Sequence, residues 1–365
     1  MTSRILSTVV DLLNPYASER GADRRAKEWL GNLDHQAAVG SRHHIVPRFL
    51  LERFASTDKR LRVRSRVDGT ASVRSIGDLA VRDFYTSVTT DTGLDSSLES
   101  LLSIVEGRAA HILRQHLDYP AFSRARPFTL EERSALDLFV ASQAIRGMRI
   151  RRGLEVVTDY TVKLLNHDKI SEDDIQNTEF LPHSNDHLKM FGSLVERVAE
   201  SLRKRSTSLL QLEKPLLIIG DEPVILESEK VGPIEGGRSE AKVEPEEFVN
   251  VEGGLGFGNA DVVLLPVSSS AVLLYGPPNH QGLPTALELG GEEARLIAEE
   301  INWKVAYAAI DWVAANPSHP GFASMTMPPR PPVLKVRDYG SLAAERVNST
   351  PAHRPIRRLR ADDVS

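Results

Sequence analysis

The sequence has no cysteine among its 365 residues. This absence excludes disulfide bonds, thiolate metal ligands and a cysteine nucleophile. Long apolar runs are missing too, because no stretch approaches the ~20 residues that cross a bilayer. The apolar segment 5–13 is interrupted by polar residues and lacks the small-residue cleavage site of a secretory signal. Together these absences predict a soluble, cytoplasmic protein with no membrane span.

A strong excess of one charge sign is also missing. The formal net charge is -5, from 45 basic and 50 acidic residues. No global field therefore draws the chain to nucleic acid or anionic lipid, although local basic patches could still do so. The hydrophobic content of 41% is enough for a full core, and the length fits one large or two ordinary domains.

Several catalytic motifs are absent or out of context. There is no Gly-x-Ser-x-Gly nucleophile elbow and no His-Glu-x-x-His zinc motif. The glycine-rich stretch 253–258 lacks the preceding strand and following helix that a dinucleotide-binding fingerprint requires. These observations disfavour a serine hydrolase of the elbow type, a helix-borne zinc pair and a Rossmann site.

Two adjacent histidines, His43 and His44, stand out in the first part of the chain. Pro47 suits the first turn of a helix, where its missing N–H costs no hydrogen bond. Leu50 and Phe54 are four residues apart and share one face of that helix. The pattern places the histidines just before a helix N-terminus, where neutral imidazoles and bound anions are both favoured.

The order of periodic segments predicts the fold class. Alternating residues on both sides of an Asp-Gly turn predict a β-hairpin over 61–76. Helical spacing then dominates the middle of the chain, before buried strands and a last helix. The elements predicted in the second half are 188–210, 215–220, 261–267, 271–275 and 292–315. We predict an α+β fold, mainly helical, with a β-hairpin near the N-terminus and an antiparallel sheet in the C-terminal half.

We divide the chain into three parts. Residues 1–40 are predicted to be a charged helical lead-in, and 41–316 a single compact α+β domain. Within that domain, the Gly- and Glu-rich residues 228–258 are predicted to be a mobile insertion. Residues 317–365, rich in proline and charge, are predicted to be a poorly ordered tail.

One predicted helix carries polar residues in its apolar half. Thr129 and Glu132 have the three-residue spacing of a capping box, which marks the start of this helix. Gln143 and Arg146 lie near its end. Cations there offset the helix dipole, which explains the arginine without a function. The same residues could equally face a ligand.

Several short motifs follow one another in a specific order. They are His44-Ile45-Val46-Pro47, Asp83-Phe84-Tyr85, Leu98-Glu99, Glu106, Gln143 with Arg146, Gly220-Asp221-Glu222-Pro223-Val224 and Asn302. Over residues 41–316 this order resembles the bacterial family called domain of unknown function 4238, whose members are widespread as accessory genes. The resemblance implies no established activity. The chain departs from the family pattern at His43, a second histidine, and at Glu222, where Asn is common.

We predict a polar pocket centred on His44. Histidine has a pKa near neutrality and suits a general base or acid. Arg146 would hold a phosphate, Gln143 would position the substrate, and a carboxylate would orient the imidazole. The candidate catalytic residues are His44, Gln143, Arg146 and Asp221. The candidate substrate-binding residues are His43, Arg64 and Glu222.

These residues make the chain a candidate phosphodiester hydrolase or nuclease acting on nucleic acid or a nucleotide, with its status as an enzyme left open. The cofactor is unknown, and a divalent cation is compatible with the histidine and carboxylate candidates. Those candidates are His43, His44, Glu99, Glu106, Asp221 and Glu222. A local HNH nuclease motif fails, because no Asn follows His44 before Asn166. The alternative function is a non-catalytic nucleotide- or protein-binding module of an accessory bacterial system.

Each polar candidate also has a purely structural interpretation. His44 would brace the helix that Pro47 starts. Asp221 would hold the turn before Pro223, and Asn302 would bond a strand end. The arginines of the hairpin would form a solvated face instead of a phosphate-binding wall. An enzyme requires His44, Arg146 and Asp221 to line one pocket.

Overall fold

A computed structural model describes residues 42–83, 88–90, 93–95, 97–118, 126–183, 185–228, 256–279, 286–329 and 357–360. The predicted lead-in lies outside these residues, as do most of the predicted insertion and most of the predicted tail.

The described residues form seven helices and fifteen strands. The helices are α1 (Arg48–Glu52), α2 (Ser97–Leu117), α3 (Leu130–Ile145), α4 (Met148–Leu165), α5 (Glu172–Asn177), α6 (Asp186–Arg203) and α7 (Gly291–Ala308). The strands are β1 (Arg42–His44), β2 (Arg60–Ser65), β3 (Ala71–Ser75), β4 (Val81–Asp83), β5 (Val88–Thr90), β6 (Gly93–Asp95), β7 (Thr178–Leu181), β8 (Arg205–Leu212), β9 (Ile219–Gly220), β10 (Ile225–Glu227), β11 (Val262–Ser268), β12 (Ala271–Pro278), β13 (Ala286–Leu289), β14 (Trp312–Ala315) and β15 (Arg357–Arg360). The α+β content is confirmed, whereas the predominance of helix is confirmed only in part.

The largest sheet has five strands in the order β10-β11-β12-β8-β13. The first four pair antiparallel, and β13 joins β8 in parallel. The predicted helix 188–210 is too long, because α6 ends at Arg203 and β8 begins at Arg205. Two neighbouring strands hold β8 in the sheet, and these long-range pairings outweigh the local helical spacing.

A second sheet has four strands in the order β3-β2-β14-β9. The predicted hairpin is confirmed, since β2 and β3 pair antiparallel, with Gly69 at φ +70° in the turn. The predicted last helix is again too long: α7 ends at Ala308, and β14 follows. β14 pairs with both β2 and β9, so this sheet joins the two ends of the predicted domain.

One large hydrophobic core connects most of the elements, and a small second cluster forms around Val162 of α4. It extends from Val46, just after β1, through Phe139 of α3 and Tyr275 of β12 to Phe322. Phe322 is only 1% exposed, so the stretch 317–329 differs from the predicted tail in supplying a core side chain. The strand β15, also in that predicted tail, pairs with β7.

Within the described ranges, none of the helices combines the length and the apolar character that a bilayer crossing requires.

Candidate functional site

The histidine segment forms the edge of a small ladder. β1 pairs antiparallel with β4, so that His43 lies opposite Arg82 and His44 opposite Val81. His43 is almost completely buried, at 1% exposure, and His44 is half-buried. Helix α1 begins directly after Pro47, as the sequence indicates, but it has only five residues. A single turn is too short to build the anion-binding N-terminus expected there.

An aromatic contact joins this segment to helix α3. The rings of Phe49 in α1 and Phe139 in α3 lie 5.4 Å apart between centroids. Gln143 is one helical turn beyond Phe139 on the same helix and is 1% exposed. Neither polar atom of its amide has a hydrogen-bond partner among the described residues. Buried amides are normally bonded, so Gln143 is an exception that requires an explanation.

Arg146 lies three residues after Gln143, at the C-cap of α3. Its side chain is buried, and its Nη2 lies 2.7 Å from Oε1 of Glu106 on α2. Its Nε and Nη1 have no partner within the part of the chain that the structure describes. Burial raises the pKa of Glu106 above its ordinary value, although the Arg146 charge opposes that rise.

Arg146 lines a small cavity between α2, the end of α3 and the start of α6. The lining residues are Leu98, Leu102, Ile145, Arg146, His187, Leu188 and Phe191. His187, at the start of α6, also borders this cavity. Its spacing of four residues from Phe191 is the sequence signal that could have placed it on an inward face.

Asp221, which the sequence predicts to be catalytic, accepts two backbone hydrogen bonds. Its Oδ1 accepts the N–H of Ile310 at 2.9 Å, and its Oδ2 accepts the N–H of Asp311 at 2.6 Å. These two bonds hold the turn between α7 and β14. Burial raises the pKa of Asp221 to about 6, and the backbone donors partly oppose that rise.

Glu222, which the sequence predicts to bind substrate, also accepts a backbone hydrogen bond. Its Oε1 accepts the N–H of Arg149 at 2.6 Å, in the first turn of α4. The carboxylate lies against Gly147, the residue after Arg146. Burial is the main cause that raises the pKa of Glu222 to about 8, and the nearby Asp221 adds to it.

Arg149 completes this brace, because its Nη2 donates to the carbonyl of Ala308 at the end of α7, at 2.7 Å. Glu222 and Arg149 therefore fix the α3–α4 junction beside Arg146.

Arg64, which the sequence predicts to bind substrate, contacts a backbone carbonyl of the segment after β14. Its side chain donates to the carbonyl oxygen of Met325, and Arg66 donates to that of Pro328 at 2.7 Å. Leu61 and Val63 are buried on one face of β2, so the alternating arginines lie on the other. The hairpin arginines anchor the segment 325–328 and do not form a phosphate-binding wall around Arg64.

The candidate metal ligands do not come together. Among the described residues, no group of three or more histidine or acidic side chains is arranged to hold a metal ion. Glu106 pairs with Arg146, while Asp221 and Glu222 bind backbone N–H groups. Of the predicted site residues, Arg146 lines the cavity, and Gln143 lies three residues before it on α3. Glu222 packs against Gly147, the residue after Arg146.

A model of a protein family, described as "Protein of unknown function (DUF4238)", matches residues 42–318. The chain belongs to the DUF4238 family. No curated protein and no solved structure matches it. The DUF4238 region runs from β1 to the residues just after β14, and so includes both sheets, the cavity and the acidic brace.

Proposed function

We propose that this DUF4238 protein binds a phosphate-bearing ligand, a nucleotide or a nucleic-acid end, at Arg146 and Gln143. The observation that carries the proposal is the pair of buried donor groups on Arg146, Nε and Nη1, without a partner among the described residues. Each buried, unsatisfied polar group costs about 1–3 kcal/mol. A ligand that accepts these hydrogen bonds would remove that cost.

The chemistry of the two side chains suits a phosphate. A guanidinium is planar and presents several N–H donors in a fork that matches phosphate oxygens. Gln143 is three residues from Arg146, so both project from neighbouring positions of α3. Its amide would donate to one ligand oxygen and accept from a hydroxyl or a water.

Glu106 sets the charge at this site. When ionised, it neutralises Arg146 through the 2.7 Å ion pair. Because burial raises the pKa of Glu106, protonation on ligand binding becomes easier and leaves Arg146 with its full positive charge. The net charge of -5 argues against extensive non-specific DNA binding and favours a small or locally held ligand.

As a candidate phosphodiester hydrolase or nuclease, the protein would use His44 for proton transfer. A water oxygen would attack phosphorus while the imidazole of His44 takes the water proton. As the bond from phosphorus to the leaving oxygen breaks, that oxygen would take a proton from a solvent water, and the imidazolium would return its proton to solvent. Arg146 would stabilise the added negative charge. The alternative is a non-catalytic nucleotide- or protein-binding module, which needs the same pocket without turnover.

Binding is tested by titrating the purified full chain with inorganic phosphate, nucleoside mono- and triphosphates, single- and double-stranded DNA, and RNA, using calorimetry. Gln143→Leu removes the amide while keeping a similar volume. We expect it to weaken binding at least about tenfold and to raise the melting temperature, because a buried unsatisfied group is lost. Arg146→Lys should weaken binding through loss of the fork.

The exposed Arg295→Lys is the matched control and should change nothing. If no phosphate compound binds wild type, or if Gln143→Leu binds as tightly, the proposed site is wrong. Cleavage is then measured with the same nucleic acids, with Mg²⁺, Mn²⁺, Zn²⁺ or chelator, for wild type and His44→Ala. Binding without cleavage selects the non-catalytic module, and equal cleavage by His44→Ala removes His44 from the chemistry.

A further inference from the structure

The two edges of strand β7 are covered differently: the side chain of Asp159 bonds one edge, and strand β15, from the C-terminal part of the sequence, pairs along the other. The N–H of Phe180 donates to Oδ1 of Asp159 on α4 at 2.8 Å. Successive N–H groups of a strand point to opposite edges, so those of Glu179 and Leu181 point the other way. There β15 pairs in parallel, with Arg358 opposite Glu179 and Leu359 opposite Phe180.

Two buried carboxylates recognise the arginine of this added strand. Glu155 is 8% exposed and Glu179 is 6% exposed. The Nε of Arg358 donates to Oε2 of Glu179 at 2.7 Å, and its Nη2 donates to Oε2 of Glu155 at 3.2 Å. A guanidinium that spans two carboxylates in this way uses its fixed fork geometry.

The carboxylates are only partly satisfied from within the body. Arg152 of α4 contacts Oε2 of Glu155 at 2.8 Å and Oε1 of Glu179 at 2.5 Å. Oε2 of Glu179 has Arg358 as its donor among the described residues. The position opposite Glu179 therefore favours an arginine, because a neutral side chain in a docked strand would leave this carboxylate oxygen without a donor.

The strand that fills this position is weakly held. It has four residues and forms a sheet with β7 alone, and isolated two-stranded sheets are marginal in water. The side chain of Arg358 is 51% exposed, so solvent and salt weaken its ion pairs. In the sequence, β15 is separated by residues 330–356 from the stretch that packs on the core.

We propose that β7, Glu155 and Glu179 form a strand-docking groove that recognises an extended, arginine-bearing peptide, and that residues 357–360 of the same chain occupy it as an exchangeable ligand. Backbone pairing along the open edge of β7 supplies affinity, and the two carboxylates select arginine. This groove is independent of the Arg146 site.

The test uses the full-length protein and a fluorescein-labelled peptide of residues 354–362, followed by fluorescence anisotropy. Wild type should bind the peptide weakly, because its own strand competes. Arg358→Ala weakens that competitor, so we expect it to bind the peptide at least tenfold more tightly. Arg295→Ala, which removes an exposed arginine on α7, is the control and should behave like wild type.

Two further arms test the contact itself. A peptide with alanine at position 358 should bind the Arg358→Ala protein at least tenfold more weakly than the unmodified peptide does. Both peptides are measured with the same protein, so a difference in protein stability cannot explain the result. The double variant Arg358→Ala/Glu179→Gln should bind the unmodified peptide more weakly than Arg358→Ala does, by a similar factor. Hydrogen exchange at 178–181 should be faster in Arg358→Ala than in wild type and should slow again when the peptide is added.

Equal binding of a scrambled peptide with the same composition would overturn the proposal, as would unchanged binding of the alanine peptide. Sedimentation equilibrium should give a monomer for wild type. A dimer that the peptide dissociates would show that the strand comes from a second copy and would overturn docking within one chain.

Discussion

Gly147 illustrates how one missing Cβ positions the candidate site. Its φ is -61°, which any residue can adopt, so its glycine is required for space and not for backbone freedom. A Cβ at this position would lie 2.9 Å from the carboxyl carbon of Glu222. Glu222 is buried and bonded to the N–H of Arg149, so it cannot move aside without losing that bond.

We therefore expect Gly147→Ala to destabilise the protein by about 1–3 kcal/mol, the range for overpacking a buried contact. Gly153→Ala on the same helix is the matched control. A Cβ at Gly153 meets nothing within 4 Å, so the helix propensity of alanine should stabilise by about 0.5–1 kcal/mol. Urea unfolding of both variants measures the difference, and equal effects would show that the Glu222 contact is unimportant.

Glu222 also makes stability depend on pH. Its pKa is raised from 4.5 to about 8 by burial, with a contribution from Asp221. A carboxyl group with a higher pKa in the folded state holds its proton more tightly when folded. The free energy of unfolding therefore falls as pH rises from the unfolded value to about 8. Asp221, raised from 3.8 to about 6, acts in the same direction at lower pH.

We expect wild type to lose on the order of a few kcal/mol of stability between about pH 5 and about pH 9. Glu222→Gln cannot ionise, so its stability should fall much less over this range. The exposed Glu293→Gln should follow wild type. Urea unfolding across the pH range gives the curves; parallel curves for wild type and Glu222→Gln would remove Glu222 as the cause.

Helix α3 positions Gln143 and Arg146, and its start is fixed by local chemistry. The hydroxyl of Thr129 accepts the N–H of Glu132 at 3.2 Å, and Oε2 of Glu132 accepts the N–H of Thr129 at 2.8 Å. This is the reciprocal capping box that the sequence predicts. A change at Thr129 tests the stability of the whole element without touching the cavity.

Thr129→Ala should cost about 1 kcal/mol of stability, the usual loss for an N-cap side chain, and Thr129→Ser should cost much less. Because the cap is at the opposite end of α3 from Arg146, phosphate binding should stay unchanged in both variants. Chemical unfolding and the binding titration check the two expectations. A loss of affinity that matches the loss of stability would show that the pocket depends on the entire helix.

The elements differ in how much of them the sequence reveals. The capping box of α3 and the β2–β3 hairpin follow from short-range patterns. The ends of α6 and α7 do not, because sheet pairing beyond Arg203 and the brace at Asp221 are long-range contacts. Carboxylates that bind backbone N–H groups look the same in sequence as catalytic ones, so residue type alone could not reveal the backbone contacts of Asp221 and Glu222.

At the scale of the whole molecule, segments far apart in sequence close one body. β14 lies between β2 and β9 and pairs with both. The main core cluster contains side chains from Val46 to Phe322, and a smaller separate cluster forms around Val162. One cooperative unit over 41–316 stays a prediction, which these connections favour. The family match ends at 318, whereas the core includes Phe322.

Two truncations test where this body ends. A chain that stops after residue 329 keeps Phe322 and the carbonyl groups of Met325 and Pro328 that bind Arg64 and Arg66. It loses β15, a partly exposed strand, so we expect a loss of about 1 kcal/mol or less. A chain that stops after residue 316 loses Phe322 as well. Removing a buried phenylalanine costs about 3–5 kcal/mol, so its melting temperature should fall by many degrees.

Phe322→Ala in the full-length protein separates the side chain from the backbone of this segment. It should reproduce most of the loss seen in the shorter truncation, because Phe322 packs in the core and also lies edge-on to His319, 6.2 Å between ring centroids. Phe322→Leu, which keeps most of the apolar volume, should recover part of the stability. Calorimetry of the two truncated chains and the two Phe322 variants, each compared with the full-length protein, measures these losses of stability. If the chain ending at residue 316 has the same melting temperature as the full-length protein, the domain ends where the sequence predicts, and Phe322 contributes nothing to its stability.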